Sequence, residues 1–235
     1  MSSVEPLALS PLGEELLDDP AADPQAVAVS LENIARSNRW FGGGAAVRHG
    51  LRRVLEGVPQ GTRLTLLDLG TGTGDLPLMA ERLARRRGVH LVPVGVERSR
   101  VAARLARAAG LPTAVACAGA APMRDRSVDL VLVSQLVHHL ARPSAISLLR
   151  SCDRLARLGV IVADLRRSRL GPPAFWCGAR ALGFDPVTIA DGMTSIRRGY
   201  TTGELRALLA ESGVAARVER RPGLRLVATW RPAGA

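Results

Sequence analysis

The chain has 235 residues and a net charge of +11, which comes from arginine because the sequence contains no lysine. This length suits one α/β domain with a helical lid and excludes two full domains. An arginine excess beside abundant alanine, leucine, valine and glycine indicates a codon-composition bias rather than a surface selected to bind nucleic acid, so we expect no nucleic-acid partner.

The first 25 residues are acidic and contain no basic residue. We predict that residues 1–25 are flexible, and their charge is opposite to that of a secretory signal. The longest uncharged stretch, Ala108–Met123, is too short to cross a bilayer and contains two prolines. The three cysteines form no Cys-x-x-Cys pair, so neither a disulfide framework nor a zinc site is indicated. We therefore expect a cytoplasmic protein without a metal.

Two helices are predicted before the first strand. Ser30 can cap a helix that runs to Arg39, and a second amphipathic helix follows the hinge at Gly42–Gly44. We assign residues 26–60 to a helical lid and residues 61–235 to the main domain.

From residue 61 onward, strand and helix patterns alternate. The predicted elements are strand Leu64–Leu69, helix Leu76–Arg87, strand Leu91–Val96, helix Ser99–Ala109, a weak strand Ala114–Ala116, strand Val128–Ser134, helix Ser144–Ala156 and strand Val160–Asp164. Such alternation predicts a parallel sheet with helices on both faces.

Residues 166–200 interrupt this alternation, and we predict that they form a cap over the substrate. Pro172 and Pro173 can open a helix that carries Phe175 and Trp176. These aromatic side chains either build an apolar substrate pocket or pack the helix against the sheet.

The end of the chain predicts a helix followed by two strands. A capping box at Thr201–Glu204 starts the helix, which ends at Gly213. The strands Val214–Glu219 and Leu224–Trp230 are separated by a turn that contains Pro222 and Gly223, so we expect an antiparallel pair.

Residues 66–75 read Leu-Leu-Asp-Leu-Gly-Thr-Gly-Thr-Gly-Asp, an apolar strand that leads into a glycine loop. A dinucleotide fingerprint needs glycine where this loop has Asp75, because pyrophosphate would sit on the helix N-terminus. A carboxylate is stable at that terminus and repels phosphate. With Asp68 before the loop, the pocket suits a cation. The adenosine cofactor that carries both an ammonium and a sulfonium is S-adenosylmethionine.

This stretch resembles the glycine motif of class I S-adenosylmethionine-dependent methyltransferases, above all the quinone-biosynthesis branch. The resemblance implies a seven-stranded, Rossmann-like methyltransferase sheet whose last strand is antiparallel. Glycines in the loop let the backbone approach the cofactor, and Glu97, which ends the second strand, is placed to bind the ribose hydroxyls. The predicted cofactor-binding residues are Arg39, Asp68, Gly70, Thr71, Gly72, Gly74, Asp75, Glu97, Arg98, Cys117, Ala118 and Ser134.

Two further stretches carry the resemblance. Residues 121–129 are similar to the family's Leu-Pro-Phe-x-Asp-x-Ser-Phe-Asp run, and the family's acid for the adenine amino group then falls on Cys117, which leaves the Ala118 N–H to recognise the ring edge. Residues 38–43 resemble the lid of methyltransferases that act on quinones and phenolic polyketides. There Arg39 would bind the cofactor carboxylate, and Trp40 and Phe41 would either close over the cofactor or pack as a staple.

The predicted catalytic residues are His138 and Asp164, which follow neighbouring strands. An imidazole oriented by a carboxylate is a suitable general base for a hydroxyl, although a histidine pair here can also simply pack the loop. Asp191 and Arg198 either touch the substrate or form an ion pair that ties down the cap.

These features favour an enzyme that methylates a small molecule, with O-methylation of a phenolic or polyketide-derived hydroxyl as the first hypothesis. The alternatives are C-methylation of a quinone precursor, nucleic-acid methylation and a noncatalytic cofactor-binding protein. Base methylation usually uses Asn or Asp followed by Pro-Pro and an aromatic residue, where this chain has Ser134–Val137. A homodimer is left open.

Overall fold

The computed structural model describes residues 7–120 and 123–232. Part of the acidic start, including Glu5, and residues 121–122 of the run at 121–129 lie outside the described residues. The strands are β1 (Arg63–Leu69), β2 (His90–Glu97), β3 (Thr113–Val115), β4 (Val128–Ser134), β5 (Ala156–Leu165), β6 (Arg217–Arg221) and β7 (Arg225–Trp230). The helices are α1 (Pro24–Trp40), α2 (Gly43–Val54), α3 (Asp75–Arg85), α4 (Arg100–Ala108), α5 (Arg142–Leu155), α6 (Gly171–Ala181), α7 (Pro186–Arg198) and α8 (Thr202–Glu211).

The seven strands form one sheet in the order β3-β2-β1-β4-β5-β7-β6. Strands β1 to β5 are parallel, β7 pairs antiparallel with β5, and β6 pairs antiparallel with β7. The predicted Rossmann-like methyltransferase sheet is confirmed. The strand order reverses between β1 and β4, so the carboxyl ends of these two strands frame the crevice in which ligands of such sheets bind.

Alternate residues of the buried strands serve two apolar cores, one on each face of the sheet. Leu66, Leu130 and Ile161 face the core that α2 and α3 cover. Their neighbours Leu67 and Val131 face the core that α5 and α8 cover. Strands buried on both faces explain the nearly continuous apolar runs in the sequence.

Helix α1 begins at Pro24, so the predicted start at Ser30 is wrong. The Asp23 side chain accepts a hydrogen bond from the Ala26 N–H, and Pro24 occupies the first turn, where its missing N–H costs nothing. Ser30 lies buried within the helix.

Residues 7–25, which we predicted to be flexible from their acidic composition, make specific contacts with the rest of the protein. Leu9 forms a β-bridge with Leu140, and the Ser10 N–H donates to the carbonyl of His139 at 2.7 Å. A short 3-10 turn at Leu16–Asp18 then brings Asp18 into the protein interior. We call residues 7–18 the N-terminal strap.

The cap at residues 166–200 consists of α6 and α7, of which only α6 was predicted. Asp185 caps α7 through the Thr188 N–H at 3.0 Å, and Pro186 takes the first position of the helix. The two cap helices pack Phe175 edge-on against Phe41 at the end of α1, with the ring centroids 5.2 Å apart. Among the described helices, none is both long enough and apolar enough to cross a membrane.

Candidate active site

A cavity of about 460 Å³ opens at the carboxyl edge of the parallel strands. The glycine loop after β1 and the ends of β2, β4 and β5 form its floor. Helix α1, the two cap helices and the N-terminal strap enclose its other sides. The fold therefore places one enclosed pocket where a parallel sheet binds its ligand.

Three carboxylates gather on one side of this cavity. Asp68 is buried, and its Oδ2 accepts a hydrogen bond from the Thr71 hydroxyl at 2.7 Å, whereas its Oδ1 has no partner among the described residues. Burial raises the pKa of Asp68 to about 7, although the hydrogen bond from Thr71 lowers it. The negative charges of Asp75 and Glu97 also raise this pKa. Burial also raises the pKa of Asp75 above its ordinary value. Such a cluster favours a cation.

Glu97 connects the end of β2 to the glycine loop. Its Oε2 accepts a hydrogen bond from the Gly72 N–H and its Oε1 accepts one from the Ser99 N–H, both at 2.9 Å. The three loop glycines, Gly70, Gly72 and Gly74, all have positive φ, a conformation that disfavours side chains. The loop therefore presents bare backbone to the cavity, and Glu97 fixes its position.

A relay of side-chain hydrogen bonds runs along the floor of the cavity. The side-chain amide of Asn38, on α1, donates to the Asp75 carboxylate at 3.0 Å. The side-chain amide of Gln135 donates to the Asn38 Oδ1 at 2.5 Å, and the Arg225 guanidinium donates to the Gln135 Oε1 at 2.8 Å. Gln135 has a φ of +53°, unusual for a residue with a side chain. The relay joins the lid to the ends of β4 and β7.

His138 and Asp164 form a buried pair at the ends of β4 and β5. The His138 Nδ1 and Asp164 Oδ1 are 2.6 Å apart, and Asp164 also accepts the Leu165 N–H at 2.6 Å. Burial by itself would raise the pKa of Asp164, but His138 and the Leu165 N–H hold it below its ordinary value. The His138 Nε2 is buried without a partner among the described residues, and the side chain lines the cavity.

The N-terminal strap is held over the cavity by Arg198. This buried guanidinium lies 2.7 Å from the Asp18 carboxylate and 3.0 Å from the Glu15 carboxylate, and it donates to the carbonyls of Leu12 and Gly13. Asp191 instead accepts the Leu16 N–H at 3.0 Å. Of the two interpretations offered for Arg198, the structure shows the ion pair that ties down the cap, but its partners are Glu15 and Asp18 rather than Asp191.

Within the described part of the chain, one group of side chains has ligand atoms close enough together to hold a metal ion. It consists of Glu15, His138 and His139. Arg198 occupies this position, because its Nη1 contacts Glu15 and lies 3.2 Å from the His139 Nδ1. A guanidinium at this distance would repel a metal cation, so we assign Glu15 and His139 to the anchoring of the strap.

Residues 67–163 match a family model described as a methyltransferase domain. No curated protein matches this chain. The chain carries an S-adenosylmethionine-dependent methyltransferase domain. S-adenosylmethionine is therefore its cofactor.

Solved structures of methyltransferases share this fold at low sequence identity. The plantazolicin methyltransferase BpumL, in complex with S-adenosylhomocysteine, is 13% identical, with a TM-score of 0.65 over 91% of this chain and 92% of its own. The O-methyltransferase NcsB1 from neocarzinostatin biosynthesis, with S-adenosylmethionine and 2-hydroxy-5-methyl naphthoic acid, is 17% identical, with a TM-score of 0.63 over 94% of this chain and 62% of its own. A methyltransferase from Aquifex aeolicus is 17% identical, with a TM-score of 0.56 over 88% and 97%.

The cavity of the methyltransferase domain fits a cofactor with an ammonium and a sulfonium. The unpartnered Asp68 Oδ1 and the neighbouring carboxylates supply negative charge, and the loop glycines leave room for close backbone approach. When bound, the cofactor supplies an activated methyl group together with its own leaving group.

Most of the predicted cofactor residues lie together around the cavity. Those that line it are Asp68, Gly70, Thr71, Gly72, Asp75, Glu97, Arg98, Cys117, Ala118 and Ser134. Gly74 lies behind the loop, where an added Cβ would come 3.0 Å from Leu111. Arg98 donates to the carbonyls of Leu17 and Asp18, so it also supports the strap.

Arg39, which we predicted to bind the cofactor, is not among the residues that line the cavity. Its exposed guanidinium lies over the ring of Trp40, which is itself 64% exposed. The phase of α1 turns Asn38 inward instead, because neighbouring helix residues point about 100° apart. Phe41 lines the cavity, whereas Trp40 does not.

Sequence reasoning missed Asn38, Gln135 and Arg225 as cavity residues. Gln135 carried a signal, because it directly follows a parallel strand. Arg225 carried a weaker one: the first residue of an antiparallel last strand lies at the carboxyl edge of the parallel strands. Asn38 could be assigned only once the true start and phase of α1 were known.

Proposed function

We propose that this methyltransferase transfers the methyl group to a hydroxyl of a phenolic or polyketide-derived aromatic molecule, with His138 as general base and Asp164 as its positioning residue. The observation that carries the proposal is the buried pair at 2.6 Å, in which the His138 Nε2 has no partner among the described residues and His138 is one of the residues that line the cavity.

The pair has the arrangement that proton removal requires. Asp164 fixes the ring by accepting from Nδ1, so Nε2 is the nitrogen left to accept a proton from a substrate hydroxyl. Asp164 also stabilises the imidazolium that forms, since its carboxylate stays charged next to His138. The backbone N–H of His138 donates to Asp164 Oδ2 at 3.3 Å, which holds the two loops together.

The rest of the cavity would bind and align the acceptor. The apolar side chains of Phe41, Phe175 and Leu136 form part of its wall, which suits a planar aromatic ring. The strap and the cap cover part of the site and would limit the access of water to a bound acceptor. Alignment of the acceptor oxygen with the methyl carbon then lowers the barrier by fixing the reacting atoms in place.

Solved structures of low sequence identity support this acceptor class. The solved complexes of NcsB1 contain 2-hydroxy-5-methyl naphthoic acid and 1,4-dihydroxy-2-naphthoic acid, both hydroxylated aromatic acids. We propose that this chain binds a related class of small molecule. A cytoplasmic location, a homodimer and membership of the quinone and polyketide branch stay predictions.

The test is turnover of S-adenosylmethionine to S-adenosylhomocysteine with a panel of phenols, quinols and hydroxynaphthoates. We expect His138→Gln to lower kcat by about 10²- to 10⁴-fold, the usual contribution of a general base, with little change in cofactor affinity. His90→Gln makes the same change at the exposed start of β2, at the opposite edge of the sheet, and should leave kcat unchanged.

Four results would refute the proposal. Equal losses of kcat and cofactor affinity in His138→Gln would remove the base assignment. A product methylated at carbon by NMR would favour the quinone alternative. Tight cofactor binding without turnover on any acceptor would favour a noncatalytic protein, and turnover on oligonucleotides alone would favour nucleic-acid methylation.

A further inference from the structure

Arg225 is a buried cation in the wall of the cavity. It is the first residue of β7, is only 3% exposed, and lines the cavity at the carboxyl edge of the sheet. Its Nε donates to the Phe41 carbonyl at 3.2 Å and its Nη1 donates to the Gln135 carbonyl oxygen at 2.8 Å. Both partners are neutral. Burial lowers the pKa of Arg225 to about 10, and Asp164 opposes this effect only from a distance.

Arg198 is a second buried arginine and gives a comparison for Arg225, because its guanidinium is ion-paired. It is as buried as Arg225, at 3% exposure, yet it contacts the carboxylates of Glu15 and Asp18. Burial of a charge is costly unless the charge is paired. Within the described residues, Arg225 has no carboxylate at ion-pair distance and has donors beyond the two that Phe41 and Gln135 use.

The strand order places Arg225 away from the carboxylates that face the cofactor. Asp68 lies on β1, and β7 follows β4 and β5 along the sheet. Adjacent strands are about 4.8 Å apart, so the two strands are separated by roughly 14 Å. Asp164, the partner of His138, lies on β5 between them and pairs with Leu226 of β7. The backbone of Arg225, which pairs with Leu165 of β5, therefore lies closer along the sheet to the Asp164–His138 pair than to Asp68.

We propose that Arg225 binds an anionic group of the methyl acceptor, so the substrate class is a hydroxylated aromatic acid rather than a neutral phenol. The inference rests on the proposed function, because it assigns the acceptor to the cavity beside His138. A carboxylate can take two donors of the planar guanidinium at once, which fixes the ring as well as the charge. Gln135 and Phe41 hold the guanidinium in place for it.

The test measures acceptor binding directly, by calorimetry on the complex of the full chain with S-adenosylhomocysteine. The probes are 3-hydroxy-2-naphthoate, 6-hydroxy-2-naphthoate and 2-naphthol, which share the ring and the hydroxyl and differ in the carboxylate. We expect at least one of the acids to bind 10- to 100-fold more tightly than 2-naphthol to the wild type. Arg225→Gln should abolish this preference, and Arg225→Lys should retain part of it because the charge remains.

Arg221→Gln is the matched control, because it removes the same charge as Arg225→Gln. Arg221 lies on β6 directly opposite Arg225 in the strand register, and it does not line the cavity. This variant should keep the full preference for the acid. Thermal unfolding of the cofactor-bound variants shows that each is folded. A wild type that binds 2-naphthol as tightly as both acids would overturn the inference, and so would an Arg225→Gln variant that keeps the preference.

A second arm separates the acceptor from the cofactor as the source of the anion, because S-adenosylmethionine also carries a carboxylate. The Kd values for S-adenosylhomocysteine and for 5′-methylthioadenosine, which lacks the amino acid, should both be unchanged in Arg225→Gln. Weakened binding of S-adenosylhomocysteine alone would assign Arg225 to the cofactor and overturn the inference. Failure of the proposed function looks different: the acids still bind with this preference, but no probe is methylated.

Discussion

Replacing Asp68 with asparagine should stabilise the cofactor-free protein and weaken cofactor binding. Burial raises the pKa of Asp68 from 3.8 to about 7. Above neutral pH the folded protein therefore contains a buried carboxylate whose ionisation destabilises the fold. One pKa unit corresponds to about 1.4 kcal/mol, which gives a total cost of about 4 kcal/mol. In the asparagine variant the side-chain NH2 would replace Oδ1 and would also have no partner. This unsatisfied donor should reduce the gain in stability by about 1 to 3 kcal/mol.

The sign of the pH dependence follows from the raised pKa. Below 3.8 both the folded and the unfolded carboxyl are protonated, and the cost is absent. As pH rises towards 7 the unfolded chain loses its proton while the folded protein keeps it, so the wild type loses stability. More than half of this cost, about 2 to 3 kcal/mol, develops between pH 5 and pH 8.

The assay is urea unfolding without cofactor at pH 5 and pH 8, with calorimetric titration of S-adenosylmethionine at pH 8. The free energy of unfolding of Asp68→Asn relative to wild type should rise over this range, and cofactor affinity should fall by about 10- to 100-fold. Glu14→Gln, the same acid-to-amide change at an exposed position, should show neither effect. A relative stability that is equal at both pH values would refute the assignment of Asp68 as a buried carboxylate held for a cation.

Three further substitutions test the rest of the site. Glu97→Ala should raise the Kd for S-adenosylmethionine at least about 10-fold by calorimetry, because it removes a charged contact and frees the Gly72 N–H; an unchanged Kd would contradict its placement on the ribose. Arg39→Ala should leave that Kd unchanged, since Arg39 is exposed over Trp40, and a large loss would restore its predicted role. Arg198→Met should lower the free energy of unfolding by about 3 to 5 kcal/mol, measured in urea at pH 8, because Glu15 and Asp18 lose their buried partner; a loss below about 1 kcal/mol would contradict the strap.

The sheet could be predicted from the sequence because its signals are local and repeated. Apolar runs such as Val128–Ser134 are strands buried on both faces, and that element was placed with its true bounds. The glycine loop and Glu97 followed from the same rule, since both come directly after strands whose carboxyl ends share an edge.

The remaining features depend on contacts between distant parts of the chain. The acidic composition of the first residues indicated flexibility, and nothing local showed that Arg198, some 180 residues further on, would neutralise Glu15 and Asp18. Arg39 and Asn38 are adjacent, so only the phase of α1 decides which of them faces the cavity. Helix α7 was missed because its signal, Asp185 followed by Pro186, lies in a segment that we assigned as a whole to the cap.

Calorimetric titration of the wild type with S-adenosylmethionine, NAD and ATP at pH 8 and pH 5.5 tests the central claim most directly. We expect one S-adenosylmethionine per chain, bound more weakly at pH 5.5 because Asp68 must lose its proton to receive the cation, and no binding of NAD or ATP. If the chain binds NAD or ATP and does not bind S-adenosylmethionine, the assignment of the cavity as a cation-binding pocket is wrong.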